Sequence, residues 1–221
     1  VASHIQASGL IYRLDKEAQS RIEQYRESVR ESEIITEEEL QKSIAGWRNL
    51  SVCGPSDGYI QEIDCPGLVR QIRDINCVIC IRKVVGQFIS TETEIANIYY
   101  GVSEEIDHEK IIANVQKYFI VGSKRTEGQD FSFTVQKIVE IALKALSPGI
   151  NDPNTAVHCL KIIGLLLRKI GDIKNGYITS KADEGKGFVV CEGYDFELVL
   201  HDAYHQISFY GQADASVMTA L

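Results

Sequence analysis

The sequence predicts an α+β fold with an apolar helical core, a small β-rich barrel-sandwich-like module and a C-terminal β-hairpin. Three observations carry this expectation. Between Arg125 and Leu160, in RTEGQDFSFTVQKIVEIALKALSPGINDPNTAVHCL, apolar residues recur at helical spacing on both sides of a Ser147-Pro148-Gly149 break. Between Trp47 and Tyr100 the period shortens to that of strands, in Tyr59–Asp64, Cys77–Arg82 and Glu94–Tyr99. After Gly171 two short runs, Tyr177–Thr179 and Phe188–Cys191, flank a loop rich in charge and glycine, the pattern of a hairpin. On this reading residues 1–46 form a helical stalk, 47–103 the β-rich module, and 104–221 a helical domain that includes the hairpin.

Taken in order, Ile11, Leu14, Ala18, Ile22, Tyr25 and Val29 stand at three- and four-residue steps, which predicts a helix with one apolar stripe. Such a stripe suits a stalk or a dimer seam as well as a helix laid on its own domain. Thr36 with Glu39 makes a capping box for a short helix that Gly46 ends. Cys65-Pro66-Gly67 precedes another short helix, LVRQIRDI. The order Ser56-x-Gly58-Tyr59-Ile60-x-x-Ile63, then Val85-Gly86-Gln87-Phe88-Ile89 and Thr93-Glu94-Ile95, resembles the barrel-sandwich arrangement of biotinyl and lipoyl carriers and of membrane-fusion adaptors. Carriers hold a modified lysine on a hairpin between the two halves, whereas the segment here is helix-like and has no lysine before Lys83, so the resemblance implies fold alone.

Asp107 is expected to cap a helix from His108 to Phe119. Thr126 and Gln129 form a capping box, which predicts a helix from about Thr126 to Leu146. Pro148 excludes Ser147 from the α region and Gly149 permits a reversal. Asp152 is the expected N-cap of the next helix, with Pro153 at its first position, where the missing N–H costs nothing. From Ala156 to Ile170 that helix is apolar almost all the way round, which places it in the middle of the core. Asp195 caps a helix striped by Leu198, Val199, Ala203, Ile207 and Tyr210; Gly211 ends it and Asp214 caps a last one.

A net charge of -8, from 31 acidic and 23 basic residues, argues against a nucleic-acid partner, which needs a basic surface. No run of 18 apolar residues is present, so the chain by itself is expected to be soluble. It opens on Val1 with neither an initiator Met nor a signal-peptide pattern, and is expected to be a piece of a longer protein. Six cysteines, Cys53, Cys65, Cys77, Cys80, Cys159 and Cys191, are too few for a disulfide scaffold and are expected to be free in a reducing compartment. Cys77 and Cys80 have metal or redox spacing, yet a strand points them to opposite faces and no second pair accompanies them. His201 and His205 share a helix face but lack a third ligand. The sequence therefore points to no metal and no cofactor.

The candidate ligand-binding residues are Arg125, Gln129, Asp130, Asn151, Asp152, Thr155 and His158. Asn151 and Asp152 stand where the free N–H groups of a long helix gather, a place suited to an anion, although a capping Asp satisfies those donors itself. Thr155 and His158 share its face. Arg125, Gln129 and Asp130 open the preceding helix, and with antiparallel helices they lie about 30 Å of helix from the turn at ~1.5 Å per residue. The two groups then form separate polar locks, or meet across a homo-oligomer interface.

The pattern Arg125-Thr126-x-x-Gln129-Asp130-x-x-Phe133, followed by Ile141-Ala142-Leu143-x-Ala145-Leu146-Ser147-Pro148-Gly149-Ile150-Asn151-Asp152-Pro153-x-Thr155-Ala156, resembles the signature of the bacterial domain of unknown function 2254 family. The similarity continues through His4-Ile5-Gln6, through Ser56-Asp57-Gly58-Tyr59-Ile60-Gln61-Glu62-Ile63-Asp64 and through Tyr210-Gly211-x-x-Asp214. It implies the soluble portion of a predicted membrane protein, joined to the inner membrane by transmembrane helices that precede it and facing the cytoplasm. The expected role is a regulatory or interaction domain that senses a small molecule and forms homo-oligomers. The alternative is a hydrolytic enzyme using Asp152 and His158 as acid and base, against which stand a missing activated nucleophile and a missing phosphate loop.

Overall fold

The computed structural model describes residues 2–174 and 176–221, the side chains of residues 2–6 excepted, so the side chains of His4-Ile5-Gln6 lie outside the described set. The chain begins with α1 (Ala2–Arg30), β1 (Glu33–Ile35), α2 (Glu37–Ser43), β2 (Arg48–Cys53) and β3 (Gly58–Ile63). There follow α3 (Cys65–Gln71), β4 (Cys77–Ile81), β5 (Phe88–Ile89), β6 (Glu94–Tyr100), α4 (His108–Gln116) and β7 (Phe119–Gly122). The last part holds α5 (Phe131–Leu146), α6 (Pro153–Gly171), the strands β8 (Tyr177–Lys181) and β9 (Phe188–Glu192), α7 (Phe196–Gly211) and α8 (Ala215–Ala220). The fold is α+β, as the alternation of periods predicts. It divides into two compact units, one built from the chain up to Arg26, Asp130–Ile173 and Asp195–Leu221, the other from Glu27–Gln129 and Lys174–Tyr194.

The first unit is helical. Helices α5, α6, α7 and α8 pack on one another. The stripe of α1 is covered within the chain: Ile11, Leu14, Ala18 and Ile22 are buried, and Tyr25 meets Phe131 with ring centroids 5.5 Å apart. Two polar bonds fix α1 on α6, from Arg26 Nη2 to the Lys169 carbonyl at 2.8 Å and from Lys169 Nζ to Gln19 Oε1 at 3.0 Å. Helix α6 buries Ala156, Cys159, Leu160, Ile163, Leu166, Leu167 and Ile170 along one side, but Leu165 is 52% exposed. It is thus a helix with one covered face rather than the surrounded centre that its composition predicts, because its neighbours lie to one side of it.

The second unit carries two open sheets, and no closed barrel is present among the described residues. A six-stranded sheet runs in the order β1-β8-β9-β4-β6-β2, antiparallel except for the parallel pair β9 and β4. A three-stranded antiparallel sheet runs β5-β3-β7. The hairpin of β8 and β9 forms in the expected place, with Thr179 opposite Val190. Every residue of β4 is buried. One of its faces, with Cys77, Ile79 and Ile81, joins a large cluster that includes Ile60, Leu68, Ile72, Ile98, Val115 and Val189. The other, with Val78 and Cys80, packs against Leu40 of α2, against Ile44 just after that helix and against Val190. The two cysteines of the C-x-x-C pattern therefore belong to different clusters, as the strand reading predicts.

Local chemistry places most helix starts. Thr36 accepts from Glu39 N–H while Glu39 accepts from Thr36 N–H, completing the capping box. Asp107, Asp152, Asp195 and Asp214 are N-caps at the expected positions. Three helices differ in their bounds. Helix α3, expected as LVRQIRDI after Gly67, runs instead over Cys65–Gln71, because Asp64 caps it by accepting from Gly67 N–H at 2.8 Å. The helix expected from Thr126 begins instead after Asp130, whose carboxylate accepts from Phe133 N–H at 2.9 Å, because Gln129 is engaged elsewhere, taking the Ile63 N–H at 3.1 Å. The helix expected to reach Phe119 stops at Gln116, since Phe119 is buried and enters β7 opposite Ile63.

Gly187, just before β9, allows a close approach of two segments: a Cβ there would stand 2.4 Å from the Ile72 carbonyl oxygen and 2.8 Å from that of Ile75. Gly149 has nothing within 4 Å of the same atom. Gly187→Ala is expected to cost ~1–3 kcal/mol in denaturant unfolding, the usual range for overpacking, while Gly149→Ala leaves the midpoint unchanged or raises it. Equal midpoints for the two variants would contradict the close packing.

Candidate functional site

The turn between α5 and α6 closes on itself. The N–H of Asp152 donates to the Ala145 carbonyl at 2.8 Å, and those of Ile150 and Asn151 donate to the Ser147 carbonyl at 3.0 and 2.9 Å. Asn151 takes the left-handed conformation, with φ of 46°, and is therefore the residue that reverses the chain here. Gly149 does not have positive φ. The Asp152 carboxylate accepts from the Thr155 N–H at 3.2 Å through Oδ1 and from the Thr155 hydroxyl at 2.6 Å through Oδ2. Asp152 thus fills the N-terminus of α6 with its own carboxylate, where the helix dipole favours negative charge. Thr155 is buried, and His158, one turn further on, is exposed.

The other candidate residues lie away from this turn. Asp130 is fully buried at the start of α5 and accepts from Ser132 Oγ at 2.7 Å as well as from Phe133 N–H. With α5 spanning 16 residues, Asp130 stands ~24 Å of helix from the turn, less than the longer expected helix implied. Gln129 belongs to the β unit through its bond to Ile63, and Arg125 is half-buried in the segment leading to it. Asp152 and Thr155 are joined directly; Asp130 stands apart from them at the other end of α5.

A different group, absent from the sequence reading, gathers in the β unit. Arg48 at the start of β2 lies opposite Tyr100 at the end of β6, and with Glu104, Glu105, Ile106, Asp107 and His108 these residues line an open cleft of about 380 Å³. Tyr100, itself buried, places its hydroxyl 2.9 Å from His108 Nε2, with the rings edge to face. Asp107 fixes the base of this arrangement by capping α4, its carboxylate accepting from Lys110 N–H at 3.1 Å. The lining of the cleft thus includes three acidic residues, one arginine and one histidine. The only local signal for it is the cap at Asp107, which orients His108; the pairing of Arg48 with Tyr100 is non-local.

The thiols also sort by environment. Burial pushes Cys77 and Cys159 up to about 12 and Cys80 up to about 11, which keeps them protonated. His201 and His205 stack with ring centroids 4.7 Å apart on the exposed side of α7, and among the described residues no three His, Cys, Asp or Glu side chains gather around a metal position.

These features define a two-unit α+β protein, and among its described residues no helix is long and apolar enough to cross a membrane. The chain belongs to the domain of unknown function 2254 family, described as predicted membrane protein, whose profile matches residues 1–221. It is similar to the uncharacterised protein Rv1290c of Mycobacterium tuberculosis and to the uncharacterised protein Mb1321c of Mycobacterium bovis. Each is 26% identical over 174 residues, covering 76% of this chain and 32% of the relative. The chain thus spans about a third of the length of these curated relatives. No solved structure matches it.

Replacing Asp152 removes the cap of α6. Asp152→Ala is expected to cost ~1 kcal/mol, up to ~2, and Asp152→Asn less, because the amide oxygen keeps the bond to Thr155 N–H. Denaturant unfolding of both variants checks this; parental midpoints for both would show that the carboxylate does not serve as a stabilising cap.

Proposed function

We propose that this chain is an extramembrane, cytoplasm-facing regulatory or interaction domain of a bacterial inner-membrane protein, sensing a small polar ligand and assembling with copies of itself. The cleft at Arg48, Tyr100 and His108 carries the ligand-sensing part of the reading. Its acidic rim favours an ammonium group, while Arg48 and the tyrosine–histidine pair offer partners to a carboxylate or hydroxyl on the same molecule. Assembly is supported by large apolar side chains left exposed on the helical unit, Leu198, Phe209 and Tyr210 on α7 and Met218 on α8. The membrane attachment rests on the family and on the relatives' greater length. The hydrolytic alternative is less well supported, since both oxygens of Asp152 are engaged by Thr155.

Two measurements test this reading. The full-length protein is expected to stay in the membrane pellet after carbonate extraction, and its release into the supernatant would overturn the attachment. Native mass spectrometry of the chain purified without dialysis is expected to show a bound small molecule that Arg48→Ala loses. A parent chain without adduct, or an adduct equally retained by the variant, would remove the cleft from the proposal.

A further inference from the structure

We propose that Cys65 and Cys191 form a redox-reactive dithiol, a modification site at which a small-molecule disulfide converts the two thiols into one intramolecular disulfide bond. This goes beyond the ligand-sensing role and does not depend on it. The observation that carries it is a contact: Cys65 Sγ, on the first residue of α3, lies 3.4 Å from Cys191 Sγ, on β9, although the two are 126 positions apart in the chain. Bond formation requires an approach to about 2.0 Å, a shift of roughly the size that small side-chain rotations provide. Helix α3 already packs on both strands of the hairpin that carries Cys191, so the two backbones are held together without the bond.

The pair is also placed to react. Cys65 and Cys191 are partly exposed, whereas Cys77, Cys80 and Cys159 are buried. The hydrogen bond from Cys191 holds the Cys65 thiol below its ordinary value, outweighing burial and the nearby Asp64 carboxylate. The same pairing, together with burial, drives Cys191 well above its ordinary value. Within the proposal Cys65, whose thiolate accepts the hydrogen bond across the 3.4 Å contact, attacks and Cys191 resolves.

With glutathione disulfide as oxidant, the Cys65 thiolate attacks one of its sulfurs. The reagent's S–S bond breaks, a mixed disulfide forms on Cys65, and one glutathione thiolate leaves. Cys191 then gives its proton to solvent and attacks Cys65 Sγ, and the second glutathione thiolate leaves. Two electrons pass from the protein to the reagent, giving one protein disulfide and two glutathione thiols. The product staples the start of α3 to β9 and closes a loop of more than a hundred residues, which constrains the unfolded chain and raises the melting temperature of the oxidised form.

The test treats the native chain with glutathione disulfide, quenches with acid and titrates thiols after denaturation. The six thiols of the untreated chain are expected to fall to four, with peptide mapping placing the new bond between Cys65 and Cys191 and dithiothreitol restoring all six. Cys191→Ser is expected to retain glutathione on Cys65, and Cys65→Ser to form no cross-link. Six thiols after treatment, a bond mapped to any other pair, or glutathione that stays on Cys65 in the parent chain would each overturn the proposal. The mapping on the parent chain decides the matter even where a serine variant fails to fold.

Discussion

A strand buried along its whole length must be covered on both faces, and β4 imposes that requirement on the β unit. Its sequence, CVICI, has no polar position to turn toward water, so burying it stabilises the fold only if two separate layers are built around it. One layer comes from α3, α4 and the small sheet, the other from α2. The strand's edges need partners as well, and one of them is supplied in parallel by β9, from more than a hundred residues further along. The hairpin, the two helices that follow β3 and β6, and the short capped helix α2 can all be understood as answers to this one strand.

In the helical unit the corresponding constraint is the satisfaction of helix ends. Asp130, Asp152, Asp195 and Asp214 each place a carboxylate on the first free N–H groups of a helix. For the last of these the hydrogen bonds from Ser216 and Val217 hold the carboxyl below its ordinary value. Acidic residues that look like chemistry in a short polar signature therefore have a mechanical task, namely to start helices at fixed positions and to close turns without stranded donors. That accounts for Asp152 and Asp130 before any ligand is invoked.

Features set by neighbours in sequence were legible in the chain alone. The caps at Thr36, Asp107, Asp152, Asp195 and Asp214 and the hairpin of β8 and β9 depend on contacts a few residues apart, and each lies where its pattern puts it. What depends on distant partners was not. The strands β1 and β7 are short and acquire their identity from pairing with β8 and β3; nothing in Glu33–Ile35 or Phe119–Gly122 alone distinguishes them from loop or helix. Gln129 fits a capping box by spacing, but its side chain is taken by Ile63, so a long-range bond overrides the local one. The cleft follows the same rule, since it exists because Arg48 and Tyr100 are paired across two strands.

The chain passes between its two units at four places, after Arg26, Gln129, Ile173 and Tyr194. Neither unit is consequently a contiguous stretch of sequence, and no single cut releases one of them whole. A gene fragment ending inside α6 would lose α7 and α8 from the helical unit and the hairpin from the β unit at the same stroke, leaving β4 with a bare edge. Dissection by a single truncation, the ordinary route for a many-part protein, here leaves neither unit with all of its segments. Joining Gln129 to Lys174 through a short linker in place of Asp130–Ile173, with both ends trimmed, is the genetic operation that would make the β unit contiguous; circular permutation would not, since the units alternate around the closed chain as well.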